Sequence, residues 1–189
     1  MSDPGQDPAD HPFRKIAEHV IHEGYVITVT NATFEGPGGV LMDRDVVHHP
    51  GAVSVVPVHE DGTVVLVRQF RAPLEEMLLE IPAGKRDVTD EPPAVTAHRE
   101  LREEVGLEAA ELVPLVVMAH SPGFCDERNH IFLATGLTEC ERAVDGPEEE
   151  HMTIVRVPLA DVFDLIADGS LTDAKSIVGL TLAHRRLAG

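Results

Sequence analysis

The segment Gly84–Leu107 constrains the fold of this chain more than any other part of the sequence. The pair Pro92–Pro93 stands where a first helical turn tolerates a missing N–H, and either Asp90 or Glu91 is placed to cap that turn. Gly106 supplies a stop signal at the other end. The segment therefore predicts one helix of about four turns.

This predicted helix has two different faces, since successive residues are rotated by 100°. On one face three carboxylates, Glu100, Glu103 and Glu104, stand at i, i+3 and i+4. Because like charges at this spacing repel each other, a cluster that faces inward needs a cation, and oxygen ligands suit Mg²⁺ or Mn²⁺. Arg99 lies four residues before Glu103 and is placed to pair with it. The other face is a mostly apolar stripe of Ala94, Val95, Ala97, Leu101 and Val105.

The residues around the helix decide between two interpretations of this charged pattern. A string of glutamates and arginines on a helix is also typical of a solvated surface. Here, however, a short hydrophobic strand over Leu78–Pro82 leads through Ala83 and Gly84 into a loop and then the helix. This order directs a carboxylate face towards the backbone of the preceding loop, which favours a metal site.

At this segment the chain resembles the Nudix hydrolases, whose box reads G, five residues, E, seven residues, REUXEEXGU, with U an aliphatic residue. The matching residues are Gly84, Glu91, Arg99, Glu100, Leu101, Glu103, Glu104, Gly106 and Leu107. Six residues rather than five separate Gly84 from Glu91, so either the loop is one residue longer or Asp90 takes the place of the glutamate.

The resemblance implies a set of metal ligands and catalytic residues. Two or more Mg²⁺ ions, or Mn²⁺ in their place, are expected to be held by Glu100, Glu103, Glu104 and the carbonyl of Ala83. Glu103 and Arg99 are thus counted among the predicted catalytic residues together with a general base. That base is expected in the acidic segment 139–150, from which a glutamate deprotonates the attacking water. We assign Glu149, with its neighbours Glu148 and Glu150 as alternatives that the sequence leaves open.

Further motifs resemble the ADP-ribose pyrophosphatase branch of the family. Gln69-Phe70-Arg71 precedes Leu79-Glu80-Ile81-Pro82-Ala83-Gly84, and Pro122 stands fifteen residues beyond Leu107. The predicted substrate-binding residues are Arg68, Arg71, Glu80, Pro122 and Gly123. A guanidinium fork suits a phosphate. Of the two arginines, Arg71 is the better candidate, because it is the arginine of the Gln69-Phe70-Arg71 motif.

The expected activity is therefore the Mg²⁺-dependent hydrolysis of ADP-ribose to AMP and ribose 5-phosphate. Two alternatives stay open. One is a Nudix pyrophosphatase for another nucleoside diphosphate derivative, such as a nucleotide sugar, a dinucleoside polyphosphate or NADH. The other is a non-catalytic Nudix domain that senses a nucleotide, although such domains usually have an eroded box or a fused DNA-binding domain.

Composition limits the class of protein. The 189 residues carry a formal charge of −18, which argues against a nucleic-acid surface and requires that cations at the site reverse the local field. No apolar run approaches the roughly 18 residues that cross a bilayer, and the polar start has no secretory signal, so we expect a cytoplasmic protein without membrane contact. Cys125 and Cys140 have no metal-ligand spacing.

The predicted organisation is an α+β fold, an α/β/α sandwich with a mixed sheet between helices and a small N-terminal antiparallel segment. Residues 1–12 are expected to be a flexible tail, 13–49 a β segment and 50–189 the Nudix domain. The resemblance implies a homodimer in which the N-terminal strands help to enclose the adenine.

Turn and helix-end signals predict a hairpin in the first half of the chain and two helices near its end. The turn Glu60–Gly62 predicts a hairpin between the strands 52–59 and 63–70, with a type I′ turn. Two helices are expected over 158–169 and 173–186. Lys175 and Ser176, near the start of the second of these helices, are expected at the surface.

Overall fold

The computed structural model describes residues 11–142 and 151–189. The chain divides into two compact units. The described part of the first unit runs to His49 and includes Ser121–Glu127, and the second comprises Pro50–His120 and Arg128–Gly189. The predicted boundary near residue 50 thus coincides with a division of the chain, but the segment Ser121–Glu127 packs with the N-terminal strands.

The first unit is built on a three-stranded antiparallel sheet in the order β1-β2-β3. Its strands are β1 (Arg14–Glu23), β2 (Thr28–Glu35) and β3 (Leu41–His48), with a 3₁₀ turn at Pro37–Gly39. The segment Ser121–Glu127 joins this sheet through backbone hydrogen bonds, since the amide of Val47 donates to the carbonyl of Phe124 and the amide of Asp126 donates to the carbonyl of Val47.

In the part that the structure describes, the second unit contains two sheets and three helices. Its strands are β4 (Ala52–Pro57), β5 (Thr63–Arg71), β6 (Glu76–Glu80), β7 (Ala83–Lys85), β8 (Leu107–Ala119), β9 (Arg128–Glu139) and β10 (Thr153–Pro158). The helices are α1 (Pro93–Val105), α2 (Val162–Ala167) and α3 (Ala174–Leu187), with a 3₁₀ turn at Leu159–Asp161 before α2. One sheet has the order β7-β4-β9-β8 and the other the order β10-β5-β6.

The four-stranded sheet is mixed, because β4 and β9 run parallel while β4–β7 and β8–β9 are antiparallel. Side chains alternate along β4 between two hydrophobic cores. Val53 and Val55 pack with Leu101 of α1, whereas Val56 packs with Leu180 of α3. The sheets therefore lie between α1 and α3, which confirms the predicted fold class.

The predicted hairpin over residues 52–70 is wrong. The strands β4 and β5 belong to different sheets and share only the isolated bridge Val58↔Val64. A type I′ turn needs positive φ at both central residues, but here Gly62 has φ 81° and Asp61 does not have positive φ. The chain therefore turns at Gly62, and the two strands separate to build the two sheets.

The apolar stripe of α1 is narrower than predicted. Ala97, Leu101 and Val105 are buried in the core, but Val95 is 51% exposed and Ala94 is exposed as well. The two exposed residues lie in the first turn of the helix, whereas the buried core contacts of the stripe begin at Ala97. No helix in the described ranges has both the length and the apolar character that crossing a membrane requires.

Candidate active site

Two residues fix the ends of α1, on which the candidate site is built. The N-cap is Pro92, with φ −61° and ψ 138°, and no side chain caps the first turn. The predicted caps Asp90 and Glu91 are therefore both wrong, and Glu91 instead lies within ion-pair distance of Arg99. At the other end Gly106 adopts the left-handed conformation with φ 65° and ψ 41°, which confirms the predicted stop.

The carboxylates of α1 contact the backbone of the short strand β7. Glu100 and Glu104 are both buried, at 6% and 4% exposure. The amide of Ala83 donates a hydrogen bond of 2.9 Å to Oε2 of Glu104. A Cβ atom on Gly84 would overlap with the carboxylate of Glu100, so any other residue at this position would displace that carboxylate. The sequence-predicted meeting of helix face and loop backbone is thus present.

Arg99 is the cation at the centre of this carboxylate cluster. Its Nη1 lies 2.9 Å from Oε1 of Glu100 and 3.0 Å from Oε2 of Glu103, as the i, i+4 spacing predicts. Its Nη2 lies 3.6 Å from both Oδ1 of Asp87 and Oε2 of Glu91. Burial alone would lower the pKa of Arg99, but the charges of Glu100 and Glu103 outweigh burial and raise the pKa.

The loop before α1 places Asp90 at the surface and Glu91 towards the carboxylate cluster. Asp90 is exposed and takes up a strained positive φ of 61°. Glu91 turns inward, where its side chain is 15% exposed and its carbonyl accepts a hydrogen bond from Arg86. Of the two readings of the loop, the longer loop with Glu91 in the motif position agrees with this geometry.

The donor set of the cluster fits a hard divalent cation. Arg99 contributes one positive charge, which is outnumbered by the carboxylates of Asp87, Glu91, Glu100, Glu103 and Glu104, so an excess of negative charge remains. In addition, Oε2 of Glu91 is buried without a hydrogen-bond partner in the described residues. Buried carboxylates with this excess charge need compensation, and oxygen donors suit Mg²⁺ or Mn²⁺.

The side chains of the cluster do not by themselves form a complete metal cage. Across the described ranges, no group of three or more His, Cys, Asp or Glu side chains is arranged to hold an ion. Arg99 lies between the acidic groups and separates them. An ion here would therefore also need ligands of another kind, such as the backbone carbonyl of Ala83 that the sequence analysis named.

A second cluster lies around Glu80, at the end of β6. Arg71 holds Glu80 through two hydrogen bonds, of 2.7 Å from Nε to Oε1 and 2.5 Å from Nη2 to Oε2. This bidentate bond raises the pKa of Arg71, and the charge of Glu104 contributes to the increase. Glu104 belongs to the carboxylate cluster of α1, where it accepts a hydrogen bond from Ala83. Because its charge also acts on Arg71, the two clusters are electrostatically linked.

The remaining predicted site residues lie elsewhere in the chain. Arg68 is exposed on β5, between Thr153 of β10 and Leu79 of β6. Pro122 and Gly123 lie in the turn of the first unit in which the carbonyl of Ser121 accepts from the amides of Phe124 and Cys125. The predicted base Glu149 and its alternatives Glu148 and Glu150 lie outside the described residues.

Sequence reasoning missed the role of the first turn of α3. Lys175 and Ser176 were expected at the surface, but both are buried, which corrects that expectation. Lys175 forms an ion pair with Glu80 and another, of 2.9 Å, with Asp173. The sequence carried one signal, the helix N-cap Asp173, which bonds the amide of Ser176 at 2.9 Å, but a cap does not reveal which strand the helix contacts.

The chain is similar in sequence to known proteins. The family model of the NUDIX domain matches residues 48–178. The chain is 38% identical to an ADP-ribose pyrophosphatase of Mycobacterium tuberculosis, over 96% of this chain and 87% of that protein. It is 40% identical to an ADP-ribose pyrophosphatase of Bacillus subtilis, over 86% and 88% of the two chains.

A solved structure described as an ADP compounds hydrolase superposes on the chain with a TM-score of 0.82. The superposition covers 94% of this chain and 95% of the other, at 26% sequence identity. The family model covers the whole of α1, the loop that precedes it and the first turn of α3. The match therefore includes both clusters of the candidate site.

Proposed function

Because the chain belongs to the Nudix family, we propose that it hydrolyses the diphosphate bond of ADP-ribose to give AMP and ribose 5-phosphate. The observation that carries the chemistry is the contact of Glu100 and Glu104 with the backbone at Ala83 and Gly84. The choice of substrate is supported by the two relatives named ADP-ribose pyrophosphatase, which align with most of this chain.

Glu100, Glu103, Glu104 and the carbonyl of Ala83 would hold two or more Mg²⁺ or Mn²⁺ ions. Such ions neutralise the charge of phosphoryl oxygens and acidify water. Arg99 contributes by holding Glu100 and Glu103 in fixed orientations before the substrate arrives, because both carboxylates share its Nη1. Its role is therefore to position the ligands, and it does not contact the substrate in this proposal.

In the proposed reaction a water oxygen forms a bond to one phosphorus of the diphosphate while the bridging P–O bond breaks. The bridging oxygen leaves with the other phosphate, and the proton of the water passes to a carboxylate. We assign that carboxylate to Glu149, a prediction that rests on the resemblance alone. Arg71 is assigned to the diphosphate, since its side chain is 37% exposed beside the buried Glu80 and a guanidinium suits a phosphate.

The test incubates the protein with Mg²⁺ and ADP-ribose and measures AMP with and without EDTA. A parallel panel contains a nucleotide sugar, a dinucleoside polyphosphate and NADH, the alternative substrates. We expect AMP from ADP-ribose, abolished by EDTA, and the highest kcat/KM for this substrate. A higher kcat/KM for another compound would reassign the substrate, and no hydrolysis of any of them would refute the enzymatic function.

Variants of two glutamates separate the metal ligands from the base. Glu100→Gln should lower kcat by at least about 100-fold and weaken Mg²⁺ binding, because it removes a charge from the ligand set. Glu149→Gln should lower kcat with Mg²⁺ affinity nearly unchanged. Glu108→Gln, an exposed position on β8, is the matched control and should keep wild-type activity. Wild-type kcat in Glu100→Gln would contradict the assignment.

We also propose that the protein is a homodimer formed through the first unit. All ten residues of β1 are exposed, including Ile16, Val20 and Ile21, and the strand is at one end of the order β1-β2-β3. An exposed apolar edge strand is suited to pair with a second chain. Light scattering should give a mass near twice 20.5 kDa, and a monomer at assay concentration would contradict the proposal.

A further inference from the structure

The first turn of α3 inserts charged groups beneath the predicted substrate-binding arginine. We call Arg71, Glu80, Asp173, Lys175 and Ser176 the Glu80 cluster. Within it the side chains of Glu80 and Lys175 are 1% and 8% exposed. A buried lysine and a buried glutamate are costly to desolvate unless each has partners, so their presence here requires an explanation.

The contacts within the Glu80 cluster form one continuous chain from α3 to β5. Lys175 donates to Oε2 of Glu80, the same oxygen that accepts from Nη2 of Arg71. Lys175 is held in turn by Asp173, which also accepts from the hydroxyl of Ser176. Lys175 and Arg71 therefore both hold the carboxylate of Glu80, through the shared oxygen Oε2.

The pKa of Glu80 reflects its burial and its two cationic partners. Burial alone would raise the pKa of Glu80, but the hydrogen bonds from Arg71 and the charge of Lys175 outweigh it and lower the pKa. Glu80 is thus a carboxylate shared by two cations. Of these two cations Arg71 is the more exposed, with 37% of its side chain accessible against 8% for Lys175. Arg71 bonds Glu80 through Nε and Nη2, so Nη1 takes no part in the bidentate bond.

We propose that Lys175 is a positioning residue that acts through Glu80 to hold the Arg71 guanidinium in the orientation that receives the substrate diphosphate. This inference rests on the proposed function, since it assigns Arg71 to the diphosphate. Without Lys175 the charge of Glu80 has a single cationic partner, and Arg71 is drawn into a tighter pair with it. The guanidinium then binds a phosphate less strongly, which raises KM more than it lowers kcat.

A purely structural role for Lys175 is the alternative that the experiment has to separate. The same turn of α3 also attaches the helix to the sheet, because the hydroxyl of Ser176 accepts a hydrogen bond of 2.8 Å from the amide of Ile81. If Lys175 only held α3 in place, its loss would reduce activity whether or not Arg71 is present. If Lys175 acts through Arg71, its loss has no further effect once Arg71 is removed.

The test is a double-mutant cycle of Lys175→Met and Arg71→Ala, assayed with ADP-ribose at saturating Mg²⁺. We expect Lys175→Met to raise KM about 10-fold and to lower kcat less than about threefold. In the Arg71→Ala background the same substitution should change kcat/KM by less than about twofold. Lys175→Arg, which keeps the charge, should restore KM to within about threefold of wild type.

Two controls complete the cycle. Arg185→Met removes a cation from an exposed position near the end of α3 and should leave KM within about twofold of wild type, whereas a rise like that of Lys175→Met would overturn the inference. Lys175→Gln replaces Lys175→Met if the latter does not fold, and thermal unfolding of every variant checks the fold.

Equal losses of kcat/KM in both backgrounds, or an unchanged KM in Lys175→Met, would overturn the inference while the wild-type enzyme remains active. Wild-type protein that releases no AMP would overturn the proposed function, and this inference with it. The two failures are therefore distinguishable in one set of assays.

Discussion

At the scale of single residues, Gly84 is the position where a side chain would displace a carboxylate of the site. Its backbone lies against the carboxylate of Glu100, and an added Cβ would overlap with that group. This contact adds to the ion pair of 2.9 Å that Arg99 forms with the same carboxylate. The carboxylate of Glu100 on α1 is therefore positioned both by packing against the β7 backbone and by the charge of Arg99.

Gly84→Ala tests this close contact. The added Cβ must push the Glu100 carboxylate aside, and because a displacement of about 1 Å can cost about 100-fold in rate, we expect kcat/KM to fall by that order. Adding Glu100→Asp shortens the carboxylate side chain by one methylene and should restore the melting temperature but not kcat/KM. Full activity in Gly84→Ala would show that the carboxylate does not need this position.

The residues of the site differ in how far the sequence could predict them. Glu100, Glu103 and Arg99 lie within one helix, so the helical period alone places them together. The partner of Glu80 could not be found in this way, because Lys175 is 95 residues further along the chain. Only tertiary packing brings the first turn of α3 under β6, and no local pattern records it.

At the scale of secondary-structure elements, α1 depends on its C-terminal stop. Gly106 donates its amide to the carbonyls of Leu101 and Arg102, and a Cβ here would also lie 3.0 Å from the carbonyl oxygen of Cys140. The turn leads directly into β8, which begins at Leu107. A single residue, Gly106, therefore connects helix and strand, and it has to adopt positive φ.

Gly106→Ala should lower the free energy of unfolding by about 1–2 kcal/mol, because a side chain costs that much in the left-handed conformation. Gly106→Asn is the matched variant and should lose less, since asparagine tolerates this conformation. Urea unfolding measures both. Equal losses in the two variants would indicate that the contact with Cys140, and not the backbone conformation, sets the cost.

His48 joins two elements of the first unit through a pair of carboxylates. Its Nδ1 lies 2.5 Å from Asp126 of the segment Ser121–Glu127, and its Nε2 lies 2.8 Å from Glu18 of β1. The hydrogen bond with Glu18, followed by that with Asp126, raises the pKa of His48, and Lys15 with His48 lowers the pKa of Glu18 to about 2. Thr30 also donates to Glu18.

The sign of the resulting pH dependence follows from these directions. A raised histidine pKa stabilises the folded state below the ordinary value of 6.5, and this contribution is lost as pH rises through the raised value. The amides of Val47 and Asp126 should therefore lose exchange protection as the pH rises from 6.5 through the raised pKa of His48, measured as protection factors. His48→Gln should remove this dependence, and an unchanged slope would contradict it.

The elements also show why some sequence predictions fail. The period and end signals of α1 lie within the segment itself, so the helix could be predicted from local information. The turn at Gly62 could be predicted as well. Whether β4 and β5 share a sheet depends on all their partners, and two of these, β9 and β10, are supplied by residues about 70 positions or more further along the chain.

At the scale of the whole molecule, the fold class followed from the sequence because strands and helices alternate in a few recognisable blocks. The assignment of Ser121–Glu127 to the first unit did not, because it rests on backbone bonds of Phe124 and Asp126 to Val47. Turn chemistry such as Ser-Pro-Gly indicates a bend but not what the bend packs against.

The charge of the whole chain supports a final prediction. A formal charge of −18 over 189 residues places many like charges within about 30 Å of each other, the screening length near 10 mM salt. This repulsion destabilises the compact state at low ionic strength and is screened at about 150 mM, where the length falls to about 8 Å. Monovalent salt should therefore stabilise the protein.

We expect the melting temperature in EDTA to rise by about 2–4 °C between about 10 mM and about 150 mM KCl, which corresponds to about 1 kcal/mol for a chain of this size. EDTA keeps divalent cations from contributing through the carboxylate cluster. At about pH 5, close to the isoelectric point of about 4.8, the net charge is small and the same change of salt should have almost no effect. A salt effect of equal size at both pH values would mean that local ion pairs, and not the overall charge, control the response.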